Sequence, residues 1–276
     1  MRTLLERTRN RLKDAGLSDF YNVAQELVCH VFDVDAVEIM TRNYIPDRAK
    51  EARLIEMTEL CAAGKPVQYV TNKATFLDAQ LYVDHRVLIP RPETEGLADI
   101  ARQFVDLRAR AGENTRVLDL CTGSGCIAIH LAKHNAKVVA SDISEDALEV
   151  ARLNAAMLGL EIEFKAGDLF GAIKDLPNKK FDIITANPPY IPDDVIPTLD
   201  ITVRAWEPAN ALSGGPFGWE IADRILKDFD KYLNPGGLFL MEIGHDQANH
   251  FKEILPDAKI IKDLEGHDRI VAYRKK

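Results

Sequence analysis

Residues 116–132 constrain the fold more than any other stretch. Arg116-Val117-Leu118-Asp119-Leu120 is a short apolar strand, Cys121-Thr122-Gly123-Ser124-Gly125-Cys126 a glycine turn, and Ile127-Ala128-Ile129-His130-Leu131-Ala132 the start of a helix. Glycines there permit positive φ and close approach of backbone to a ligand. Strands and helices alternate from about residue 90 onward, with further apolar runs at 137–141, 162–165, 181–186 and 238–243. That alternation predicts an open α/β sheet, whose ligands sit outside the carboxyl ends of its strands. Residues 259–263 and 269–273 read as two strands joined by a short loop, so the last strand is expected to be antiparallel.

Three acidic residues lie at such strand ends. Asp119 precedes the glycine turn, where it can receive an ammonium group directly or through water, and where it would repel a pyrophosphate. The turn also lacks the third glycine of the dinucleotide pattern G-x-G-x-x-G. Asp142 ends the next strand, roughly 20 residues on, the place of a ribose-binding carboxylate; a helix cap is its alternative role, although Ser144 fits the cap better. Asp168 can accept from an exocyclic adenine amine and Leu169 can pack on the ring, the alternative being a turn aspartate. Together these features suit adenosine bearing an amino-acid tail, S-adenosylmethionine, with S-adenosylhomocysteine as product. Cys121, Thr122, Gly123, Ser124 and Gly125 would cradle it.

The strand at 181–186 runs into Asn187-Pro188-Pro189-Tyr190. A planar, delocalised NH2 is a poor nucleophile. The Asn187 side-chain oxygen and the Pro188 carbonyl can each accept one of its hydrogens and hold the lone pair toward a methyl donor. The prolines fix φ and carry no competing N–H, and Tyr190 offers a flat face to a planar group. Asn187, Pro188 and Tyr190 are therefore the candidate catalytic residues and, with Pro189, the candidate substrate clamp; Asn187 also adjoins the cofactor. A plain proline-rich turn is the alternative for the motif taken alone.

The net charge of −8 argues against a broad phosphate-binding face and hence against direct nucleic-acid binding. Cys29, Cys61, Cys121 and Cys126 show no zinc-site spacing, His85, His130, His134, His245 and His267 are scattered without metal spacing, and His130 and His134, one helical turn apart, have no evident carboxylate partner, so no metal is expected. With no apolar signal core and no membrane-length apolar run, a cytoplasmic protein is expected, and a monomer.

Residues 1–70 look helical and separate, with Leu4, Leu5, Leu12, Val23, Leu27, Val28 and Val31, then Ile55, Met57 and Leu60, at near-helical spacing. A substrate-docking module and a stabilising cap are both open for this domain. Residues 71–89 read as a β-hairpin linker and 90–276 as the main domain. Arg91, Glu93 and Thr94, opening a helix with Pro92 in its first turn, can line the cofactor mouth. The irregular stretch around Trp206, Glu207 and Ser213 is expected to wall the substrate cleft, and Asn234-Pro235-Gly236-Gly237 to form a turn before a central strand.

The chain resembles the glutamine-N5 methyltransferases of class-1 peptide-chain release factors, the PrmC or HemK family, over nearly its whole length. The resemblance rests on Pro66-Val67-Gln68-Tyr69, on Leu88-Ile89-Pro90-Arg91-Pro92-Glu93-Thr94-Glu95, on the loop at 121–125, on Asn187-Pro188-Pro189-Tyr190 with Ile191-Pro192, on Glu207-Pro208 and on Gly266-His267-Asp268-Arg269. It implies a Rossmann-like class I methyltransferase sheet behind a small helical domain that helps grip the release factor. It also implies methyl transfer to the side-chain amide of the glutamine in the release factor Gly-Gly-Gln motif. Cofactor contacts are implied at 121–125, Asp142, near Leu169 and at Asn187, and the substrate amide at 187–190. Family members often carry glycine at position 121, where this chain has Cys121. Glutamine methylation of a ribosomal protein would use the same clamp; adenine-N6 methylation shares the Asn-Pro-Pro-Tyr motif but fits the acidic chain poorly.

Overall fold

The computed structural model describes residues 1–41 and 44–276. It divides into two units, one of Met1–Lys73 with Asp200–Trp206, the other of Ala74–Leu199 with Glu207–Lys276.

The smaller unit contains α1 (Arg2–Asp14), α2 (Phe20–Phe32), α3 (Ala36–Thr41), α4 (Arg48–Ala62) and α5 (Val67–Thr71). Leu5, Leu12, Leu27, Val28, Val31, Ile39, Leu54 and Met57 form its core. On α4 the buried stripe is Leu54, Met57, Thr58 and Cys61. Ile55 and Leu60, expected on that stripe, instead face outward, Ile55 being 63% exposed. A helix turns about 100° per residue, so positions 54, 57, 58 and 61 share a face from which 55 and 60 are displaced. Of the stretch expected to wall the cleft, residues 203–206 cluster with this unit together with residues 200–202; there Ile201 approaches Gly64 and Lys65 sits over the Trp206 ring.

The larger unit opens with a hairpin of β1 (Ala74–Phe76) and β2 (Ala79–Leu81), whose Phe76 and Leu81 are buried in the same cluster as Leu97, Ala98 and Ala101 of α6 (Pro92–Arg110). Then follow β3 (Arg116–Leu120), α7 (Cys126–Lys133), β4 (Lys137–Asp142), α8 (Glu145–Met157), β5 (Glu163–Ala166), β6 (Phe181–Ala186) and β7 (Ile191–Pro192). The remaining elements are α9 (Ile201–Arg204, of the smaller unit), β8 (Ser213–Gly215), α10 (Glu220–Tyr232), β9 (Leu233–Glu242), α11 (Ala248–Ile254), β10 (Lys259–Lys262) and β11 (Asp268–Arg274).

The main sheet has the order β10-β11-β9-β6-β3-β4-β5. All its pairings are parallel except those of β11, which runs antiparallel to β9 and β10. Side chains alternate between two cores: Val138, Ala140, Ile183 and Leu240 enter one, and Val139, Ile184, Phe239 and Met241 the other. Both faces are covered, which is why the central strands read as continuous apolar runs. Asn234-Pro235-Gly236-Gly237 is not a turn ahead of the strand but a bulge inside β9. Phe181 pairs with Leu233 and Ile183 with Leu238, so Asp182 faces the extra residues. The Asp182 side chain accepts from the Asn234 side-chain amide at 3.0 Å, and Gly236 and Gly237 exchange backbone hydrogen bonds with Lys275, which tie the bulge to its neighbours.

Among the described residues no helix is long and apolar enough to cross a membrane.

Candidate active site

β3 and β6 are neighbours from which the chain departs in opposite directions across the sheet, β4 and β5 lying on one side and β9 on the other. A crevice at such a switch point is where an open α/β sheet takes its ligand. Leu120 pairs with Ala186, so Cys121 and Asn187 leave adjacent strand ends. They border a cavity of about 310 Å³, also lined by Thr122, Gly123, Ser124, Asp142, Asp168, Leu169 and Pro189. Asp119, Gly125, Pro188 and Tyr190, candidates from the same motifs, do not line it.

Asp119 lies beneath the loop, fully buried. Its oxygens accept from the Thr122 hydroxyl at 2.6 Å and from the Thr185 hydroxyl at 2.7 Å, the latter from its pairing partner across the strands. Burial pushes its pKa up to about 6, against the pull of the two hydroxyls. It therefore braces the loop from below and does not reach the cavity. Gly125 starts α7 at φ 82°, and a Cβ there would stand 3.2 Å from that of Ala151, so it serves helix packing. Cys121 takes φ 56°, a conformation that costs a side chain energy.

Asp142 accepts from the Gly123 N–H at 2.9 Å and from the Ser144 N–H at 3.0 Å, while the Ser144 hydroxyl caps α8 through Ala147. Burial raises the Asp142 pKa and these backbone donors oppose it. A carboxylate has about four lone-pair sites, so these donors do not exhaust its capacity to accept from a ribose hydroxyl. Asp168 is held by Arg224 in a pair half exposed on both sides, weak enough to yield to another donor. Ile143, 65% exposed, and Leu169 supply apolar surface at the same rim. Each arginine that lines the cavity is paired with a carboxylate: Arg86 with Asp84 and Glu149, Arg91 with Glu207, Arg224 with Asp168. A hydroxylated, cationic adenosyl group fits a cavity lined by Asp142 and Asp168.

On the clamp side, the Asn187 Nδ2 donates to the Thr94 hydroxyl at 3.1 Å, which leaves the amide oxygen uncommitted. Pro188 is buried beside it. The Tyr190 hydroxyl donates to Glu242 Oε1 at 3.2 Å, and burial raises the tyrosine pKa far above its ordinary value. Gln247 donates to the carbonyls of Tyr190 and Gly218 and accepts from the Gly244 N–H. A Cβ on Gly214 would fall 2.7 Å from the Pro189 carbonyl, so only glycine lets β8 lie this close behind the clamp.

Sequence reasoning missed Glu242, Gln247 and Asn154. Asn154 of α8 is buried, accepts from the Tyr82 N–H at 2.7 Å and donates to the carbonyls of Tyr82 and Ser124 at 3.0 Å each. Its sequence signal is an amide on a helix face of alanine and valine; Glu242 is likewise a lone acid closing an apolar strand. The histidines correct another expectation: His134 stands 3.3 Å from Asp106 and His130 3.8 Å from Asp78, carboxylates distant in sequence.

Comparison with known proteins agrees with this architecture. Residues 111–268 match a family model described as a methyltransferase domain, and residues 3–71 one described as the PrmC N-terminal domain. A release factor glutamine methyltransferase of Koribacter versatilis is 40% identical over 231 residues, covering 82% of this chain and 80% of that protein. The protein of that name from Caulobacter vibrioides is 36% identical, covering 95% and 92%. Among solved structures, a methyltransferase from Pyrococcus furiosus superimposes with a TM-score of 0.53 at 20% identity, over 83% of this chain and 99% of that one, a likeness of fold. By the extent and identity of these matches, the chain belongs to the family of release factor glutamine methyltransferases.

Proposed function

We propose that this enzyme methylates the side-chain amide nitrogen of the glutamine in the Gly-Gly-Gln motif of a class-1 peptide-chain release factor. The observation that carries this reading is the Asn187 amide: its nitrogen is engaged by Thr94 at the edge of the cavity, so its oxygen is available to a substrate N–H. When bound, S-adenosylmethionine supplies a sulfonium-activated methyl carbon open to attack by nitrogen. Asp142 would hold the ribose hydroxyls, Leu169 and Ile143 would flank the adenine, and Asp168 would accept from its amine once released from Arg224. The loop of Cys121, Thr122, Gly123 and Ser124 would border the amino-acid tail, with Asp119 bracing it from below. Asn187 Oδ1 and the Pro188 carbonyl would each accept a hydrogen bond from the glutamine carboxamide NH2 and turn its lone pair toward the donor, and one of those two N–H protons would pass to solvent as the nitrogen gains its methyl group and S-adenosylhomocysteine departs. Such orientation can contribute up to roughly 7–11 kcal/mol in favourable systems. Tyr190, its hydroxyl tied to Glu242, would present a fixed ring wall to the planar amide. The helical unit would grip the body of the release factor.

A transfer assay with labelled S-adenosylmethionine tests this. Label is expected on a release factor and not on its Gly-Gly-Gln glutamine-to-alanine variant. Label only on ribosomal protein or DNA offered alongside would reject the substrate assignment. A second test is Asn187→Ala, expected to remove most turnover while cofactor affinity by calorimetry is largely kept; ordinary turnover in that variant would remove the clamp from the mechanism.

A further inference from the structure

The polypeptide that links β8 to α10 begins and ends at the cavity. Ser213 before it and Ile221 after it both line that space, and the turn Gly215-Pro216-Phe217-Gly218 lies between them. In the turn, Phe217 is 63% exposed. An aromatic ring left in solvent adds little to the fold by burial, yet both the backbone and the ring of this residue are fixed. The Phe217 N–H donates to the two oxygens of the Glu220 carboxylate at 3.0 and 3.3 Å, and the Trp219 N–H donates to one of them at 3.1 Å. The Gly218 N–H closes the turn on the Gly215 carbonyl at 3.1 Å. One face of the Phe217 ring stacks on Trp219, with centroids 5.5 Å apart and planes 9° from parallel, and Trp219 stacks in turn on His250 at 4.3 Å and 16°. His250 is anchored by Asp223 at 2.8 Å and meets the buried Phe251 edge-on at 5.1 Å. A column of rings thus runs outward from the core and ends in Phe217.

The same turn is fixed to the clamp. A Cβ on Gly218 would fall 2.5 Å from the Tyr190 carbonyl and 2.9 Å from the Pro192 ring, and one on Gly214 would fall 2.7 Å from the Pro189 carbonyl. Glycine allows this approach, so Phe217 is one residue away from direct contact with the clamp backbone. Each residue of an extended chain advances about 3.3–3.6 Å. A polypeptide whose glutamine reaches Asn187 and Pro188 therefore has its neighbouring residues within reach of the Phe217 ring. A ring already held in place loses little freedom on binding, and well-packed aromatic anchors carry much of the energy of protein interfaces. A peptide group is planar, and glycine has no side chain to hold that plane away from a ring. The two glycines that precede the accepting glutamine are the segment that matches such a face.

We propose that Phe217, propped by Trp219 and His250, is a docking surface for the substrate backbone: the glycine segment preceding the methyl-accepting glutamine packs flat on its open face, which sets where the glutamine enters the clamp. This assignment rests on the proposed function for the identity of the protein that presents the glutamine.

The test uses the full-length protein, full-length release factor and labelled S-adenosylmethionine. In Phe217→Ser the KM for release factor is expected to rise about 10-fold, while kcat at saturating substrate, the cofactor dissociation constant and the melting temperature stay close to wild type. Phe217→Tyr, which keeps the flat ring, should lie within about 2-fold of wild type, and Phe217→Leu, apolar but not flat, should resemble Phe217→Ser. A photoreactive p-benzoylphenylalanine at position 217 is expected to crosslink to the tryptic peptide of the release factor that contains Gly-Gly-Gln. Because it keeps an aromatic ring there, it carries the test should Phe217→Ser lose stability. An unchanged KM in a folded Phe217→Ser, or a crosslink that is absent or confined to another part of the release factor, would overturn the inference and leave the methylation reading standing. A wild type that leaves release factor unlabelled would remove that reading and the inference with it.

Discussion

Asp119 gains little from ionising where it sits. Its folded pKa of about 6 lies above the ordinary aspartate value of 3.8, because burial penalises the charge more than two hydroxyl donors repay. The sign follows: between about pH 4 and 6 the unfolded chain releases this proton while the folded chain keeps it, so the group's contribution to stability falls as pH rises through that window and levels off above it. Asp119→Asn removes this loss. The amide can still accept from one threonine and donate to the other, since the Thr185 hydroxyl has the Leu118 carbonyl at 3.5 Å as a second acceptor. Urea unfolding should show the variant gaining about 1–2 kcal/mol relative to wild type at about pH 8 compared with about pH 5. A gap that does not widen with pH would place the raised pKa elsewhere. Cys121 is a second residue whose conformation matters more than its chemistry. At φ 56° it carries the strain that glycine avoids, so Cys121→Gly should stay within about 1 kcal/mol of wild type, while the β-branched Cys121→Val should lose about 1–3 kcal/mol. Equal losses in the same urea series would argue that the thiol's packing governs the site. The types and spacing of these residues were legible in the sequence, but their facing was not. Whether an acid before a glycine loop points into the cavity or under it depends on Thr185, a residue of another strand.

At the scale of elements, the strand–turn–helix and the clamp strand could be read because both follow from local chemistry. The bulge in β9 could not. Asn-Pro-Gly-Gly is ordinary turn composition, and only the partners Asp182 and Lys275 keep it within the sheet. The outward turn of Ile55 and Leu60 shows a related limit, since apolar spacing near 3.6 admits more than one stripe until neighbouring helices choose. Asn154 shows how much one helix position can tie together, joining α8 to the backbone at Tyr82 and at Ser124 of the cofactor loop. Asn154→Leu orphans an N–H and two carbonyls in a buried place, and each such group costs about 1–3 kcal/mol. We expect a loss of about 3 kcal/mol or more in denaturant unfolding, together with weaker cofactor binding by calorimetry because Ser124 is released. A stable variant with loosened cofactor binding would assign Asn154 to the loop alone, and a destabilised one with unchanged binding would assign it to packing alone.

Across the whole molecule, the sequence suggests a linear division near residue 70. Asp200–Trp206 clusters with the helical unit, although 126 residues of the larger unit, Ala74–Leu199, separate it from Lys73. Nothing local in Ile201-Thr202-Val203-Arg204 marks that destination, since it is set by contacts with Gly64 and Lys65. What the helical unit does is open to a direct test on its own surface. Ile55 projects from α4 with 63% of its surface exposed, beside Arg7, Arg11 and Glu59 around a groove of about 180 Å³ between α1 and α4. An exposed aliphatic side chain ringed by charge gives the fold nothing by burial, and a grip on the release factor would give it a use. Ile55→Glu changes that surface without touching the core stripe of α4. If the unit grips substrate here, KM for release factor should rise about 10-fold or more, with kcat at saturating substrate, cofactor affinity and melting temperature close to wild type. If the unit is only a stabilising cap, KM will not move, and Leu54→Ala, one residue away but buried, will lower the melting temperature and leave KM of the remaining folded enzyme unchanged. The pair of variants separates the two roles because adjacent positions on one helix face opposite environments.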